Sequence, residues 1–230
     1  ITLYSVLMAT IQTALVTIYT ILSFKVLKNG NLALYTLFLM TGGMILPYIF
    51  GVMFLDEELT VLRSIGLLFI TAAVILSNTG IKKPSKIQVV LCSLIFFLNG
   101  FVSIVSKIHQ VEQVFNTVDS DSFVFLTSLI KAVALFPVYL ILKKKSLDTY
   151  RPDLKKVLPI IVLASIFSGI SYMLQLIGAS TISATVVYPL ITGGSIILSS
   201  VAGFLILKER PTKQQIIGVL ICFIGTCLFL

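Results

Sequence analysis

Charged residues are scarce in this sequence. They make up 11% of its 230 residues, and hydrophobic residues make up 57%, whereas an average soluble domain has roughly 25% charged residues. So few charges cannot cover a water-exposed surface, which excludes a soluble enzyme, a nucleic-acid-binding protein and a disordered tail. The composition instead predicts a protein that lies in the lipid bilayer.

Cysteine is nearly absent as well. Cys92, Cys222 and Cys227 all lie within apolar runs, and an odd number of cysteines at hydrocarbon depth predicts neither a disulfide framework nor a metal site. No motif indicates a cofactor. A charged leader and a cleavage site are also missing at the start, where Ile1 already lies in an apolar run, so we expect an N-terminally truncated stretch of a longer protein.

Apolar runs long enough to cross a bilayer recur along the chain. A spanning helix needs about 20 mainly apolar residues. The runs are continuous rather than alternating, which favours helices over barrel strands. The predicted spans are residues 1–25, 32–55, 60–78, 87–106, 122–142, 154–177, 182–207 and 213–230.

Lysine and arginine fall on one side of the predicted membrane. Alternate loops carry almost all of them, including the segments 80–86 and 143–156, and the intervening loops carry most of the acids. The positive-inside rule predicts that 80–86 and 143–156 are cytoplasmic, in a multi-pass protein of the cell (plasma or inner) membrane.

The sequence contains an internal repeat. The block 33–45 matches 184–196, and the turn 55–60 matches 207–212. Three spans in the first part of the chain therefore correspond to the last three. The second unit has two further spans upstream, so we expect the first unit to have two more before Ile1. Five spans per unit is an odd number, which predicts an inverted-topology repeat.

Each repeat has a small-residue span, a short Glu-containing turn and a final Gly-bearing span. In these features the chain resembles the EamA-like drug/metabolite transporter superfamily. The resemblance implies an all-α polytopic bundle of ten helices in two inverted five-helix repeats, about eight of them visible here. It assigns 1–79 to the last three helices of the first repeat, 80–86 to a basic linker and 87–230 to the complete second repeat. Members are usually drawn with both termini in the cytoplasm, whereas the charge pattern predicts an external C-terminus.

Polar side chains recur on single faces of several spans. At hydrocarbon depth they are costly unless they face protein or a water-filled cavity, so they predict a central substrate path. Alternatively, the hydroxyls bond their own helix backbone and small residues let the helices pack. The candidates for the path are Thr17, Thr41, Tyr48, Asn99, Lys131, Ser168, Tyr172, Gln175, Tyr188, Thr192 and Ser195.

Glycine and proline interrupt two spans at corresponding places in the two repeats. Such interruptions indicate the binding region and hinges of a transporter, although plain helix packing explains them equally well. The residues concerned are Gly42, Gly43 and Pro47 in the first repeat, and Gly193, Gly194 and Pro189 in the second.

Lys131 is the sharpest single candidate, because an ammonium group at mid-span costs several kcal/mol unless it pairs or reaches the interface. Either end of its span is roughly 13 Å away, which strains such a reach. It could bind a carboxylate or phosphate of the substrate, or titrate as a coupling group. Alternatively, it is a structural lysine bonded to carbonyls or hydroxyls within the bundle.

The leading hypothesis is a secondary transporter that works by alternating access around a midplane site between the two units. No Asp, Glu or His lies at mid-span, which favours a neutral, zwitterionic or anionic metabolite over a cationic drug. The expected partners are that metabolite and the lipid bilayer but no nucleic acid, with the chain a monomer or homodimer. The alternatives are a channel or membrane-embedded interaction partner and, as a distant third, an enzyme in which Ser128 and Lys131 form a nucleophile–base dyad.

Overall fold

A computed structural model describes residues 1–28, 32–78, 84–145, 154–206, 208 and 211–229. Within these ranges the chain forms eight α-helices and no β-strand. The helices are α1 (Leu3–Lys28), α2 (Leu32–Phe54), α3 (Val61–Ser77), α4 (Lys86–Val111), α5 (Ser120–Lys145), α6 (Leu154–Thr181), α7 (Ala184–Leu205) and α8 (Lys213–Cys227).

Each predicted span coincides with one of these helices, and the prediction of an all-α polytopic membrane protein is confirmed. Among the described residues, α1, α2, α4, α6 and α7 are long and apolar enough to cross a membrane, and α3 and α8 are shorter apolar helices. Most of the two predicted cytoplasmic loops, 80–86 and 143–156, lies outside the described residues.

The C-terminal end of α4 differs from the prediction. The helix continues to Val111, beyond the predicted end at residue 106. Lys107 was predicted to lie in a loop but occupies the last turns of α4, where it is buried. A single lysine at the end of an apolar run does not reveal whether the helix continues through it, because its partners come from distant parts of the chain.

Helices α3 and α8 pack closely through glycine. A Cβ at Gly66 would lie 2.9 Å from the Gly225 carbonyl oxygen, and one at Gly218 would lie 3.3 Å from that of Ala73. The earlier residue of α3 meets the later residue of α8, and the later residue of α3 meets the earlier one of α8, so the two helices are antiparallel. The same holds for α2 and α7, since Gly51 near the end of α2 meets Ala184 at the start of α7. Helices that match in sequence thus run in opposite directions, which is what two inverted units require.

One residue after each glycine-bearing helix has the same unusual backbone φ in both repeats. Asp56 and Lys208, which align in the repeat, are the non-glycine residues with positive φ among those described, at 50° and 53°. The following helix begins in each case after a threonine N-cap, Thr60 or Thr212, whose hydroxyl accepts from the backbone N–H three residues later. The matched sequence therefore gives the same positive φ and the same threonine N-cap in both repeats.

Apolar side chains pack the helices together in separate clusters. The largest joins α2, α3, α7 and α8 around Met44, Ile70, Val74, Ile196 and Cys222. A second cluster joins α1, α5 and α6. Between these clusters α1, α2, α4, α5, α6 and α7 surround a space that apolar side chains do not fill, and the candidate site lies there.

Candidate functional site

A cavity of about 360 Å³ lies among α1, α2, α4, α5, α6 and α7. Its wall combines apolar residues with hydroxyl, amide and ammonium groups. The polar side chains that line it are those of Gln12, Thr13, Tyr19, Asn99, Ser103, Thr127, Lys131, Tyr172, Gln175, Tyr188, Thr192 and Ser195. No carboxylate lines this cavity among the described residues.

The structure brings most of the predicted path residues together. Seven of the eleven side chains line this one cavity, although they come from four helices that are far apart in the sequence. They are Asn99, Lys131, Tyr172, Gln175, Tyr188, Thr192 and Ser195. Stripes of polar residues at helical spacing therefore identified the inward faces of these helices.

Four predicted path residues lie outside the cavity wall. The hydroxyls of Thr17 and Thr41 each donate to a carbonyl one turn earlier in their own helix, at 2.7 Å. Tyr48 is buried in the largest apolar cluster, where its hydroxyl lies 3.4 Å from Ser64 Oγ. Ser168 is exposed on α6. Ser128, the nucleophile of the alternative Ser128–Lys131 enzyme hypothesis, is also exposed and does not line the cavity beside Lys131.

Gln12 and Thr127 are among the cavity residues that were not predicted. Gln12 Nε2 donates to Ser106 Oγ at 3.0 Å and to the Tyr172 hydroxyl, which joins α1 to α4 and α6. Thr127 offers its carbonyl oxygen to the Thr13 hydroxyl at 3.4 Å. An amide at hydrocarbon depth is costly without partners, so Gln12 carried a signal that could have identified it. A lone threonine such as Thr127 carries no comparable signal.

Hydrogen bonds join the helices of the cavity wall towards the end of α4. The Tyr188 hydroxyl donates to the Ser103 carbonyl oxygen at 2.6 Å, which ties α7 to α4. The Ser106 hydroxyl, one turn further along α4, lies 3.4 Å from the Tyr172 hydroxyl. We call these two contacts the floor of the cavity.

A second layer beyond this floor contains two buried charges. Glu57, in the turn after α2, accepts hydrogen bonds from the backbone N–H groups of Ala184 and Thr185 at 2.6 and 2.7 Å. A carboxylate in this place accepts from backbone N–H groups at the start of α7 that have no partner within the helix. It is also stabilised by the positive end of the α7 helix dipole. The hydroxyl of the α7 N-cap residue, Ser183, makes no capping bond, so a distant turn supplies the cap.

Lys107 makes the reciprocal contact at the end of α6. Its ammonium group donates to the carbonyl oxygens of Ala179 and Ile182 at 2.8 and 2.7 Å and lies 3.9 Å from Glu57 Oε1. The side chains of Lys107 and Glu57 are only 5% and 10% exposed. We call these two residues and the α6–α7 turn that they hold the Glu57–Lys107 layer.

The two glycine pairs have different surroundings. A Cβ on Gly42 would lie 2.7 Å from the Phe96 Cα in α4, and one on Gly43 would lie 2.6 Å from the Asn99 Nδ2. In the second repeat a Cβ on Gly193 would meet the Thr226 side chain, whereas one on Gly194 would meet nothing within 4 Å among the described atoms. The glycines of α2 therefore permit close packing against α4.

The predicted prolines do not end their helices. Pro47 and Pro189 are both fully buried, and α2 and α7 each continue through them. A proline inside a helix removes one backbone hydrogen bond, so both positions are candidate hinges.

The comparisons with known proteins identify the family. A search of curated proteins returned no match. The family model described as "EamA-like transporter family" matches residues 86–230, which is more than half of the chain. That match includes α4 to α8, and α4 to α7 supply most of the cavity wall. The chain therefore belongs to the EamA-like transporter family, whose members carry small molecules across membranes.

Proposed function

We propose that the protein is a secondary transporter that moves a small metabolite across the cell membrane by alternating access, with the central cavity as its binding site. The observation that carries the proposal is the convergence of six helices on one cavity whose wall contains Lys131 and six more of the predicted polar residues. One chain supplies all of these helices, so the proposal needs no more than a monomer.

The charge of the cavity supports an anionic, zwitterionic or neutral substrate. Lys131 is the charged side chain that lines it, and no described acid lies within ion-pair distance of this lysine. A cationic substrate would have to approach an ammonium group at low dielectric with no carboxylate in the cavity wall, which is unfavourable.

Alternating access requires that one end of the cavity is closed while the other gives entry. Here the Tyr188–Ser103 bond and the Glu57–Lys107 layer close the end near the α4–α5 connection. The charge distribution of the loops predicts that this end faces outward. Two inverted units, 1–79 and 87–230, would then rock about the cavity, breaking these contacts and forming others at the cytoplasmic end.

The proposal is tested with the full-length protein in proteoliposomes. We expect saturable uptake or efflux of at least one compound in a metabolite panel, measured with and without a proton gradient. Lys131→Ala should abolish this transport or raise KM at least about tenfold. The matched control is Lys213→Ala, at the exposed start of α8 and outside the cavity. Unchanged transport by Lys131→Ala would refute the role of the lysine, and non-saturable flux would favour a channel.

Orientation has a separate test. A single cysteine in place of Val114, which is 85% exposed in the α4–α5 connection, should react with a membrane-impermeant thiol reagent from outside the cell. A cysteine in place of Lys213 should react only after the membrane is permeabilised. The reverse pattern would overturn the proposed orientation and leave the cavity assignment standing.

A further inference from the structure

A second cavity lies away from the central one. It occupies about 450 Å³ between the C-terminal half of α7 and the first turns of α8, beside the end of α3. Its apolar wall includes Phe204, Leu205 and Leu220, whose side chains are exposed. Helix α7 is long and apolar enough to cross a membrane, so an exposed apolar face on it contacts acyl chains, and the cavity opens to the bilayer. We call this space the α7–α8 cavity.

The corresponding place in the first repeat is filled by a tyrosine. Continued in register, the matched blocks align Tyr48 with Ser199 and Ser64 with Ile216. Tyr48 of α2 is buried, and its hydroxyl lies 3.4 Å from Ser64 Oγ of α3. Ser199 and Ile216 line the α7–α8 cavity instead. The second repeat thus has a serine where the first has a large side chain that joins two helices, and this difference leaves room for a ligand.

Two polar side chains of the α7–α8 cavity have hydrogen-bond donors without a partner. The side-chain carbonyl of Gln215 accepts from the backbone N–H and the hydroxyl of Thr212, at 2.9 and 3.2 Å. These bonds fix the amide and leave its Nε2 without an acceptor among the described residues. The Ser77 hydroxyl is buried and has no hydrogen-bond partner among them either. Both side chains line the cavity and can donate to the oxygens of a phosphate or an ester.

Positive charge flanks the cavity at the same end. Lys208 and Lys213 lie in the sequence on either side of Pro211, which lines the cavity. The turn 208–213 carries three basic residues and one acid. The start of α8, at Lys213, adds the positive end of a helix dipole. The positive-inside rule predicts that this end faces the cytoplasm, where the membrane leaflet carries anionic lipids.

We infer that the α7–α8 cavity binds an anionic phospholipid of the cytoplasmic leaflet, with its headgroup at the start of α8 and an acyl chain along the exposed face of α7. Lys208 and Lys213 attract the negative headgroup. Gln215 and Ser77 donate hydrogen bonds to its oxygens, and the apolar wall around Phe204 contacts the acyl chain. A zwitterionic lipid would bring a cationic group towards the two lysines, and a soluble phosphate would leave the apolar wall without a partner.

Lipid binding is measured on the purified full-length protein in detergent. Phosphatidylglycerol and phosphatidylcholine with the same acyl chains are titrated in, and binding is followed by thermal stabilisation and by native mass spectrometry. Each lysine near an anionic headgroup strengthens binding about fivefold, so we expect phosphatidylglycerol to bind about 25-fold more tightly than phosphatidylcholine. Inorganic phosphate and glycerol 3-phosphate, which have no acyl chain, should bind far more weakly than phosphatidylglycerol.

Two double variants test the role of the lysines. Lys208→Ala/Lys213→Ala should lower the affinity for phosphatidylglycerol to that for phosphatidylcholine. The matched control is Lys25→Ala/Lys28→Ala, which removes two exposed lysines from the last turn of α1, outside the α7–α8 cavity. The charge pattern predicts that these lysines lie on the same side of the membrane, and the control should keep the preference for phosphatidylglycerol.

A third variant fills the cavity as the first repeat does. Ser199→Tyr introduces the side chain that Tyr48 has at the equivalent place, so it should abolish the stabilisation by phosphatidylglycerol while leaving the melting temperature in detergent alone no lower than that of wild type. Phosphatidylglycerol binding by Ser199→Tyr at wild-type affinity would overturn the inference, because the lipid would then bind elsewhere.

The remaining outcomes are equally decisive. Equal binding of phosphatidylglycerol and phosphatidylcholine by wild type, or an equal loss in the two double variants, would overturn the inference. Binding of inorganic phosphate or glycerol 3-phosphate as tight as that of phosphatidylglycerol would overturn the lipid assignment in favour of a soluble anion. No transported compound enters these measurements, so their outcome is independent of the proposed function.

Discussion

Replacing Gly42 by alanine should destabilise the protein, whereas the same change at its neighbour Gly43 should be tolerated. The Cβ added at Gly42 would lie 2.7 and 2.8 Å from the Cα and carbonyl carbon of Phe96. Those atoms belong to the backbone of α4. The Cβ added at Gly43 would instead meet the end of the Asn99 side chain at 2.6 Å, and a side chain can rotate away.

The size of the destabilisation by Gly42→Ala follows from these distances. Ordinary contact begins at 3.4 Å, and the Phe96 carbonyl oxygen would lie closer still to the added Cβ than the Cα does. Helix α4 would therefore have to retreat by at least about 0.7 Å, and the packing of Gly100 against Leu46 in α2 would loosen with it. Overpacking of this kind costs about 1–3 kcal/mol. Alanine regains up to about 1 kcal/mol of helix propensity at either position. We therefore expect Gly42→Ala to be less stable than Gly43→Ala by about 2 kcal/mol.

Unfolding of the two variants in detergent, by heat or by denaturant, measures this difference directly. The two substitutions share one helix, one change in composition and nearly the same change in propensity, so each controls for the other. Equal stability of Gly42→Ala and Gly43→Ala would refute the close packing of α2 on α4. Gly43→Ala should still raise KM for transport, because displacing Asn99 from the Leu39 carbonyl, 2.8 Å away, narrows the cavity.

Three further predictions concern the end of the cavity near the α4–α5 connection, which we propose is closed. Glu57→Gln, which removes the negative charge at the start of α7, should lower the unfolding free energy by about 1–3 kcal/mol, measured by thermal unfolding against wild type. Tyr188→Phe removes one hydrogen bond to Ser103, about 1 kcal/mol, and should increase thiol labelling of a cavity cysteine from outside without unfolding the protein. Backbone N–H groups, that of Val114 foremost, hold the pKa of Glu112 below its ordinary value. Their stabilising effect is therefore complete above the ordinary glutamate pKa and is lost as pH falls through the lower folded value. Protection of the Val114 N–H from hydrogen exchange should accordingly fall only in that acidic range and lose this pH dependence in Glu112→Gln.

The helices could be predicted from the sequence because the bilayer dictates the length of an apolar run. All eight spans matched helices, and the glycines of the spans 60–78 and 213–230 lie where α3 and α8 pack together. The helix faces that line the cavity could also be predicted in part, since a large polar group such as Tyr172 or Gln175 is costly at hydrocarbon depth unless it faces a cavity or a partner.

What lies opposite each face could not be predicted. Thr41 and Thr192 are equivalent in the repeat, yet Thr192 lines the cavity and Thr41 bonds its own helix. Gly42 and Gly193 are equivalent too, and they meet a backbone in one case and the Thr226 side chain in the other. A repeat fixes which residue points in which direction from its helix. The neighbour that it meets depends on how helices from both units assemble, and local sequence carries no signal for that.

Two buried lysines show how the same residue type serves two purposes. The structural alternative considered for Lys131, an ammonium group bonded to backbone carbonyls, is realised by Lys107, which has two carbonyl oxygens and the Glu57 carboxylate around it. Burial of Lys107 is thereby compensated within the protein. Lys131 lines the cavity instead, with no described acid in ion-pair distance. No acid of the described cavity wall compensates the charge of Lys131, so an anionic group of a ligand can do so. This is the physical basis for proposing substrate binding for Lys131 and closure for Lys107.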